Sequence, residues 1–137
     1  MTAMRDGERK LLVFEEEGYE HLGMQVPGGT VMEHESLEQA LLREIREEAG
    51  IGEATVKAYL GEYSYLSEKL GHDLIRHYYW LEAELTDDRF THVVESEDED
   101  NGWIYHYRWT SFAGTPIVLY SHLGRYLDKL RELHDTA

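Results

Sequence analysis

Residues 29–51 read GTVMEHESLEQALLREIREEAGI, and the rest of the chain is organised around this stretch. Its middle carries the punctuation of a helix over Ser36–Ala49. Ser36 reads as the N-cap, and Gln39, three residues later, completes a capping box in which each side chain bonds the other's backbone amide. Gly50 follows Ala49, where a residue without a Cβ takes the left-handed backbone that ends a helix. At about 100° per residue, Leu37, Leu41, Leu42, Ile45 and Ala49 spread over one apolar arc. Glu44, Glu47 and Glu48 fall together within roughly a quarter-turn that borders and partly overlaps that arc, while Gln39 and Arg46 hold the far side. A merely solvated face would set its charges opposite the core. Three carboxylates crowded beside buried positions repel one another and are costly to desolvate. A divalent cation offsets both costs, and Mg²⁺ takes hard oxygen ligands of this kind. The trio therefore reads as a candidate metal site in preference to a solvated acidic face.

Arg43 lies one i,i+4 step before Glu47. It is either an ordinary surface pair or an arginine that holds one carboxylate in place, and helix geometry does not choose between them. Pro27-Gly28-Gly29 leads from a strand into the helix start. Glycines let backbone carbonyls or amides approach a metal or phosphate closely. A Gly-Gly pair usually marks only a turn, so its weight here comes from its place beside the carboxylate helix.

Working outward, Lys10–Glu16 reads as a strand, Glu17–Tyr19 as a turn around Gly18, and His21–Val26 as a short strand ending at the Pro-Gly-Gly breaker. Val56–Leu66 and Leu74–Leu85 read as strands joined by a turn at Gly71-His72-Asp73. Glu95–Gly102 is an acidic loop. Trp103–Trp109 reads as a strand with Trp103, Tyr105, Tyr107 and Trp109 on one face. Thr115-Pro116 is expected to open a last helix, as N-cap and first-turn proline. Its apolar positions are Leu119, Leu123, Tyr126, Leu127, Leu130 and Leu133. Strands, a helix, more strands and a helix predict an α+β fold with helices packed on a mixed or antiparallel sheet.

The chain has 137 residues, which suits a single domain over 1–137, and its 42% apolar content is enough to bury a core. Its formal net charge is −15, from 28 acidic and 13 basic residues. A surface this acidic repels a nucleic-acid backbone, so no nucleic-acid polymer is expected as partner. It repels a free nucleotide as well, unless a cation lies between protein and phosphate. Cysteine is absent, which excludes disulfides, thiolate zinc sites and thiol nucleophiles. No apolar stretch approaches membrane length and Met1–Lys10 has no apolar signal core, so the expected location is cytoplasmic with no membrane contact.

The stretch resembles the signature of the Nudix hydrolase family. That pattern is Gly, five residues, Glu, seven residues, Arg-Glu, an aliphatic residue, any residue, Glu-Glu, any residue, Gly and an aliphatic residue. Gly29, Glu35, Arg43, Glu44, Ile45, Glu47, Glu48, Gly50 and Ile51 fill every defined position. From average residue usage, a chance match is on the order of one in ten million. The resemblance implies an α/β/α sandwich with a mixed β-sheet between helices. It implies hydrolysis of a nucleoside diphosphate linked to another group, X, by a pyrophosphohydrolase. It further implies Mg²⁺ or Mn²⁺ held by Glu44, Glu47 and Glu48 with the Gly29 carbonyl, and an Arg43 that orients a glutamate. Arg43, Glu44 and Glu47 are thus the expected catalytic residues, and a nucleotide or nucleotide derivative the expected substrate. The alternative is a catalytically silent module that uses the same fold to sense a nucleotide.

Family members usually begin with a longer strand that pairs with the one resembling Lys10–Glu16, and here only Met1–Gly7 precedes it. The edge is short, completed by a second copy in a homodimer, or lost with a truncated start. Outside residues 29–51, the run Glu95–Asp100 reads first as a mobile solvated loop. Glu95 and Glu97 are secondary candidates, because a loop glutamate serves as base or extra ligand in some relatives. The Trp103–Trp109 stripe and Tyr78, Tyr79 and Trp80 read as sheet packing. His72 and His77 form no spaced metal motif. Arg76 and Arg108 could meet phosphate, with nothing in the sequence to prefer that over structural roles.

Overall fold

The computed structural model describes residues 1–84, 87–114 and 116–136. Among these residues the strands are β1 (Thr2–Arg5), β2 (Glu8–Glu16), β3 (Thr55–Ser67), β4 (His72–Glu82), β5 (Arg89–Val93) and β6 (Ile104–Ser111). The helices are α1 (Leu37–Ala49) and α2 (Leu127–Asp135), with a 3₁₀ turn at Glu20–Leu22. The strands form one sheet in the order β3-β4-β1-β2-β6-β5. Only β1 against β4 is parallel, so the sheet is mixed, as expected.

Alternation along β2 divides the core. Leu12 and Phe14 turn to one face and pack with Ile45 and Ala49 of α1, Leu81, Tyr105 and Tyr107. Leu11 and Val13 turn to the other and pack with Trp80, Leu119 and Leu130 of α2. A strand buried on both faces carries a continuous apolar run, which is why Leu11–Phe14 shows no polar break. The result is the expected α+β sandwich, a mixed sheet between helices. No helix among the described residues is long and apolar enough to cross a membrane.

Several expectations are corrected. The opening strand is present as β1, but it lies inside the sheet and not at its edge, pairing with β2 along Thr2–Arg5 and touching β4 through Thr2 and Glu82. The turn expected at Gly71-His72-Asp73 sits earlier. His72 and Asp73 are already paired with Ser67 and Leu66, and the chain reverses at Ser67–Gly71, where the Gly71 amide donates to the Ser67 carbonyl at 2.8 Å. In 21–26 only Met24 and Gln25 are extended. Gln25 exchanges two backbone bonds with Phe14, while Glu20–Leu22 coils.

The last helix begins at Leu127, not near Pro116; Thr115 itself and Leu85, the end of the expected fourth strand, lie outside the described residues. Leu119 forms a parallel bridge to Met24, and the Tyr120 amide donates to the Met24 carbonyl at 2.8 Å. Ser121 follows with φ 55°, a conformation no α-helix contains. Tertiary pairing thus overrides a helical spacing that Leu119 and Leu123 satisfy on paper. Strand β5 is an element the sequence did not announce.

Candidate functional site

Helix α1 is built as its ends predict. The Gln39 amide donates to Ser36 Oγ at 3.1 Å, the Ser36 amide donates to Gln39 Oε1 at 2.9 Å, and Gly50 is left-handed at φ 70°. Ala40, Ile45 and Ala49 are buried, and so are Glu44 and Glu48, at 7% and 6% exposure. Leu42, placed in the apolar arc by spacing, is 37% exposed. Glu47 is half-buried and Gln39 and Arg46 exposed, so the carboxylates border the core as the helical wheel requires.

Arg43 is the hub of this surface. Its Nη1 donates to Glu44 Oε1 at 2.8 Å and to Glu47 Oε2 at 2.9 Å. Its Nε and Nη2 form a fork on the Glu35 carboxylate, at 2.6 and 3.0 Å, and Nη2 also donates to the Thr30 carbonyl at 2.9 Å. The i,i+4 step to Glu47 is therefore one of several bonds, and the surface-pair reading of Arg43 is set aside. Glu35, held by Arg43 and by the Met32 amide at 2.9 Å, is kept below the usual carboxylate range. The same bonds push the Arg43 guanidinium's pKa up.

The glycine turn closes over the helix. The Gly28 amide donates to Glu48 Oε1 at 3.1 Å. At Gly29 a Cβ would overlap the Glu44 carboxylate in its present position. Glycine thus lets the turn and that carboxylate approach closely.

Electrostatics separate the carboxyls. Burial raises Glu44, against the pull of Arg43. Burial pushes Glu48 up to about 9; the Gly28 amide opposes this, while Glu44 and Asp100 add to it. Two adjoining buried carboxyls that resist ionisation are a place where a cation is electrostatically wanted. Among the described residues no three acidic side chains already converge as a ready-made metal cluster. In this arrangement Arg43 binds Glu47 Oε2 and Glu44 Oε1. The donor set nevertheless fits Mg²⁺ or Mn²⁺: all oxygens, on one helix face, beside a glycine turn that packs directly against the Glu44 carboxylate.

The far end of α1 is fastened by the sheet. The Tyr107 hydroxyl donates to the Glu48 carbonyl at 2.8 Å, and the Glu95 amide donates to the Glu47 carbonyl at 3.1 Å. His92 Nε2 lies 2.9 Å from the Glu47 carbonyl, and its ring covers Gly50, where a Cβ would come to 2.9 Å from it. These donors meet carbonyls that a helix end leaves unpaired. Sequence reasoning gave Tyr107 only a packing role and did not single out His92.

The secondary candidates separate. Glu95 and Glu97 are exposed, and Glu95 meets the helix through its backbone. In the same loop Asp100 is half-buried, and its charge bears on Glu44, Glu48 and Tyr105. No spacing rule marks one acid of such a run. Ser96 Oγ bonds Asp100, and the Ser96 amide donates to Asn101 Oδ1 at 3.0 Å, so the loop is folded on itself. Tyr105 and Tyr107 are buried packing residues, Tyr105 stacking on Phe14 at 4.0 Å, whereas Trp103 lies outside β6 and is 44% exposed. Trp80 is buried, with Tyr78 and Tyr79 half-buried beside it. His72 bonds the Asp73 carbonyl and His77 the Tyr59 hydroxyl. Arg108 pairs with Glu15 at 2.7 Å, and Arg76 lies over Tyr65.

A family model described as the NUDIX domain matches residues 1–124. With a mixed sheet between two helices and a carboxylate helix behind a glycine turn, this chain belongs to the NUDIX family. Searches of curated proteins and of solved structures return no match.

Proposed function

We propose that the chain is a divalent-metal-dependent hydrolase that cleaves a pyrophosphate linkage in a nucleoside diphosphate joined to another group. The observation that carries this reading is the buried Glu44–Glu48 pair beside an Arg43 that binds three glutamates. Glu44, Glu47 and Glu48, with the Gly29 carbonyl, would hold Mg²⁺ or Mn²⁺. Such an ion neutralises pyrophosphate charge and makes a bound water acidic. Arg43 orients Glu44 and Glu47 from one guanidinium nitrogen and is itself fixed by Glu35. Glu44, Glu47 or a glutamate of the 95–100 loop would accept the attacking water's proton as its oxygen bonds phosphorus in line with the bridging P–O bond that breaks, the bridging oxygen leaving with the second phosphate. The Gly28 amide holds Glu48 by one oxygen and leaves the other for the ion.

Glu47→Gln and Glu48→Gln test the reading against the sensor alternative. Wild-type turnover of a nucleotide that both variants bind but do not cleave supports hydrolysis. Nucleotide binding by the wild type with no turnover, and the same affinity in both variants, supports the sensor.

A further inference from the structure

On the sheet face opposite α1, the outer half of the β3–β4 hairpin meets the segment before α2. Tyr63 and Tyr65 lie side by side there, with ring centres 6.1 Å apart and planes 20° from parallel. The His122 ring touches both, at 4.6 and 5.2 Å. Arg125 sits over Tyr63 at 4.1 Å and Arg76 over Tyr65 at 5.6 Å. Beneath them, the Tyr78 hydroxyl donates to the His122 carbonyl at 2.7 Å and the Tyr78 ring packs on Tyr126 at 4.9 Å. The platform is therefore tied to both the hairpin and the 122–126 segment.

Its charge is unusual for this molecule. The chain has 28 acidic residues against 13 basic ones, yet among the described residues neither Arg76 nor Arg125 has a carboxylate within ion-pair distance. Among the described residues, the only side-chain hydrogen bond from either is Arg76 Nη2 to the Tyr65 hydroxyl, at 3.3 Å. The nearby carboxylate of Glu62 points to the other sheet face, 4.0 Å from His77. Burial raises the Tyr78 pKa, and Arg76 and Arg125 are the leading charges that pull it back, so both guanidinium groups bear on one hydroxyl. Two like charges gathered on one rigid platform repel each other, and a multiply charged anion between them removes that repulsion. A guanidinium held over a ring by cation–π attraction is partly ordered in advance, and its remaining N–H donors suit phosphate oxygens. The chain's net charge of −15 turns away long polyanions and favours a small ligand.

We propose that Arg76 and Arg125, on the Tyr63–Tyr65–His122 platform, form a second binding site for a small phosphate-bearing molecule, separate from the α1 carboxylates. Inorganic pyrophosphate is the probe. The full chain, stripped of metal on a chelating resin, is labelled on its tyrosine and histidine rings and titrated by NMR at low ionic strength. Saturable shifts of Tyr63, Tyr65 and His122 are expected. Arg125→Gln, at an exposed position, should weaken binding about tenfold, as should Arg76→Gln. Glu47→Gln should leave the affinity unchanged. The site is overturned by the absence of saturable shifts, by equal shifts with sodium chloride of matched ionic strength, by unchanged affinity in Arg125→Gln, or by loss of these shifts in Glu47→Gln. Because the α1 site is stripped of metal throughout, failure here leaves the proposed hydrolysis standing, and the reverse also holds.

Discussion

The Tyr107 hydroxyl donates 2.8 Å to the carbonyl of Glu48, joining the most buried strand face to the last turn of the carboxylate helix. Both groups are buried, so neither has water as a substitute partner. Tyr107→Phe removes the donor, keeps the ring, and leaves the carbonyl unsatisfied at a cost of about 1–3 kcal/mol. Urea unfolding of the metal-free protein should show that loss. Mn²⁺ affinity should fall as well, since the turn that carries Glu47 and Glu48 loses one of its fastenings. Unchanged stability and affinity would remove Tyr107 from the account of how the helix is held.

A Cβ on Gly29 would overlap the Glu44 carboxylate where that carboxylate now lies. The obstacle is the end of a flexible side chain, so Gly29→Ala should fold and move the Glu44 carboxylate aside. The expected signature is a melting temperature near wild type together with Mn²⁺ affinity at least about tenfold weaker, a change of about 1.4 kcal/mol. Wild-type affinity in a folded Gly29→Ala would show that Glu44 is not a ligand in its present position.

Arg43 compensates Glu44 and Glu47 directly and is anchored by Glu35. Arg43→Gln leaves half-buried and buried carboxylates without their cation, which costs about 3–5 kcal/mol for a buried pair and less where water reaches Glu47. Added Mn²⁺ should restore part of the loss by replacing the missing charge. Arg43→Lys should rescue poorly, because an ammonium cannot form the fork on Glu35. Thermal melts with and without Mn²⁺ read both effects; equal losses with and without the ion would contradict them.

Glu48 gives a pH dependence of defined sign. Its folded pKa is pushed up to about 9 by burial, above its unfolded value of 4.5. Over that interval the folded state keeps a proton that the unfolded state has released. The contribution to stability is whole below about 4.5 and is lost as pH rises towards about 9. Metal-free wild type should therefore lose stability relative to Glu48→Gln as pH climbs through this window, and the difference between the two curves isolates the residue. A difference that stays flat from pH 5 to pH 9 would contradict it.

The carboxylate helix was legible because its signals are local. Ser36, Gln39 and Gly50 act within one turn of their own positions, and the placement of Glu44 and Glu48 against the core follows from helical angle. The bond from Arg43 to Glu47 was legible for the same reason; the fork on Glu35 and the bond to Thr30 were not, because they depend on how the preceding loop folds back. Strand β1 was obscured by its length of four residues, Thr2–Arg5, too few for alternation to register. The onset of α2 was misread because the Leu119 pairing with Met24, nearly a hundred residues away in sequence, competes with a valid helical spacing. Tyr107 and His92 belong to the same class. Their ring positions follow strand alternation, but their partners on α1 lie in a different element.

The central claim is metal-dependent hydrolysis at the α1 carboxylates. Its most direct test is turnover of a panel of nucleoside triphosphates, ADP-ribose, dinucleoside polyphosphates and nucleotide sugars, with Mg²⁺ or Mn²⁺ and with neither. The account predicts cleavage of at least one member between phosphorus atoms, only with metal, and lost in Glu47→Gln. Folded wild-type protein that turns over no member with either metal, or equally well without metal, would contradict it.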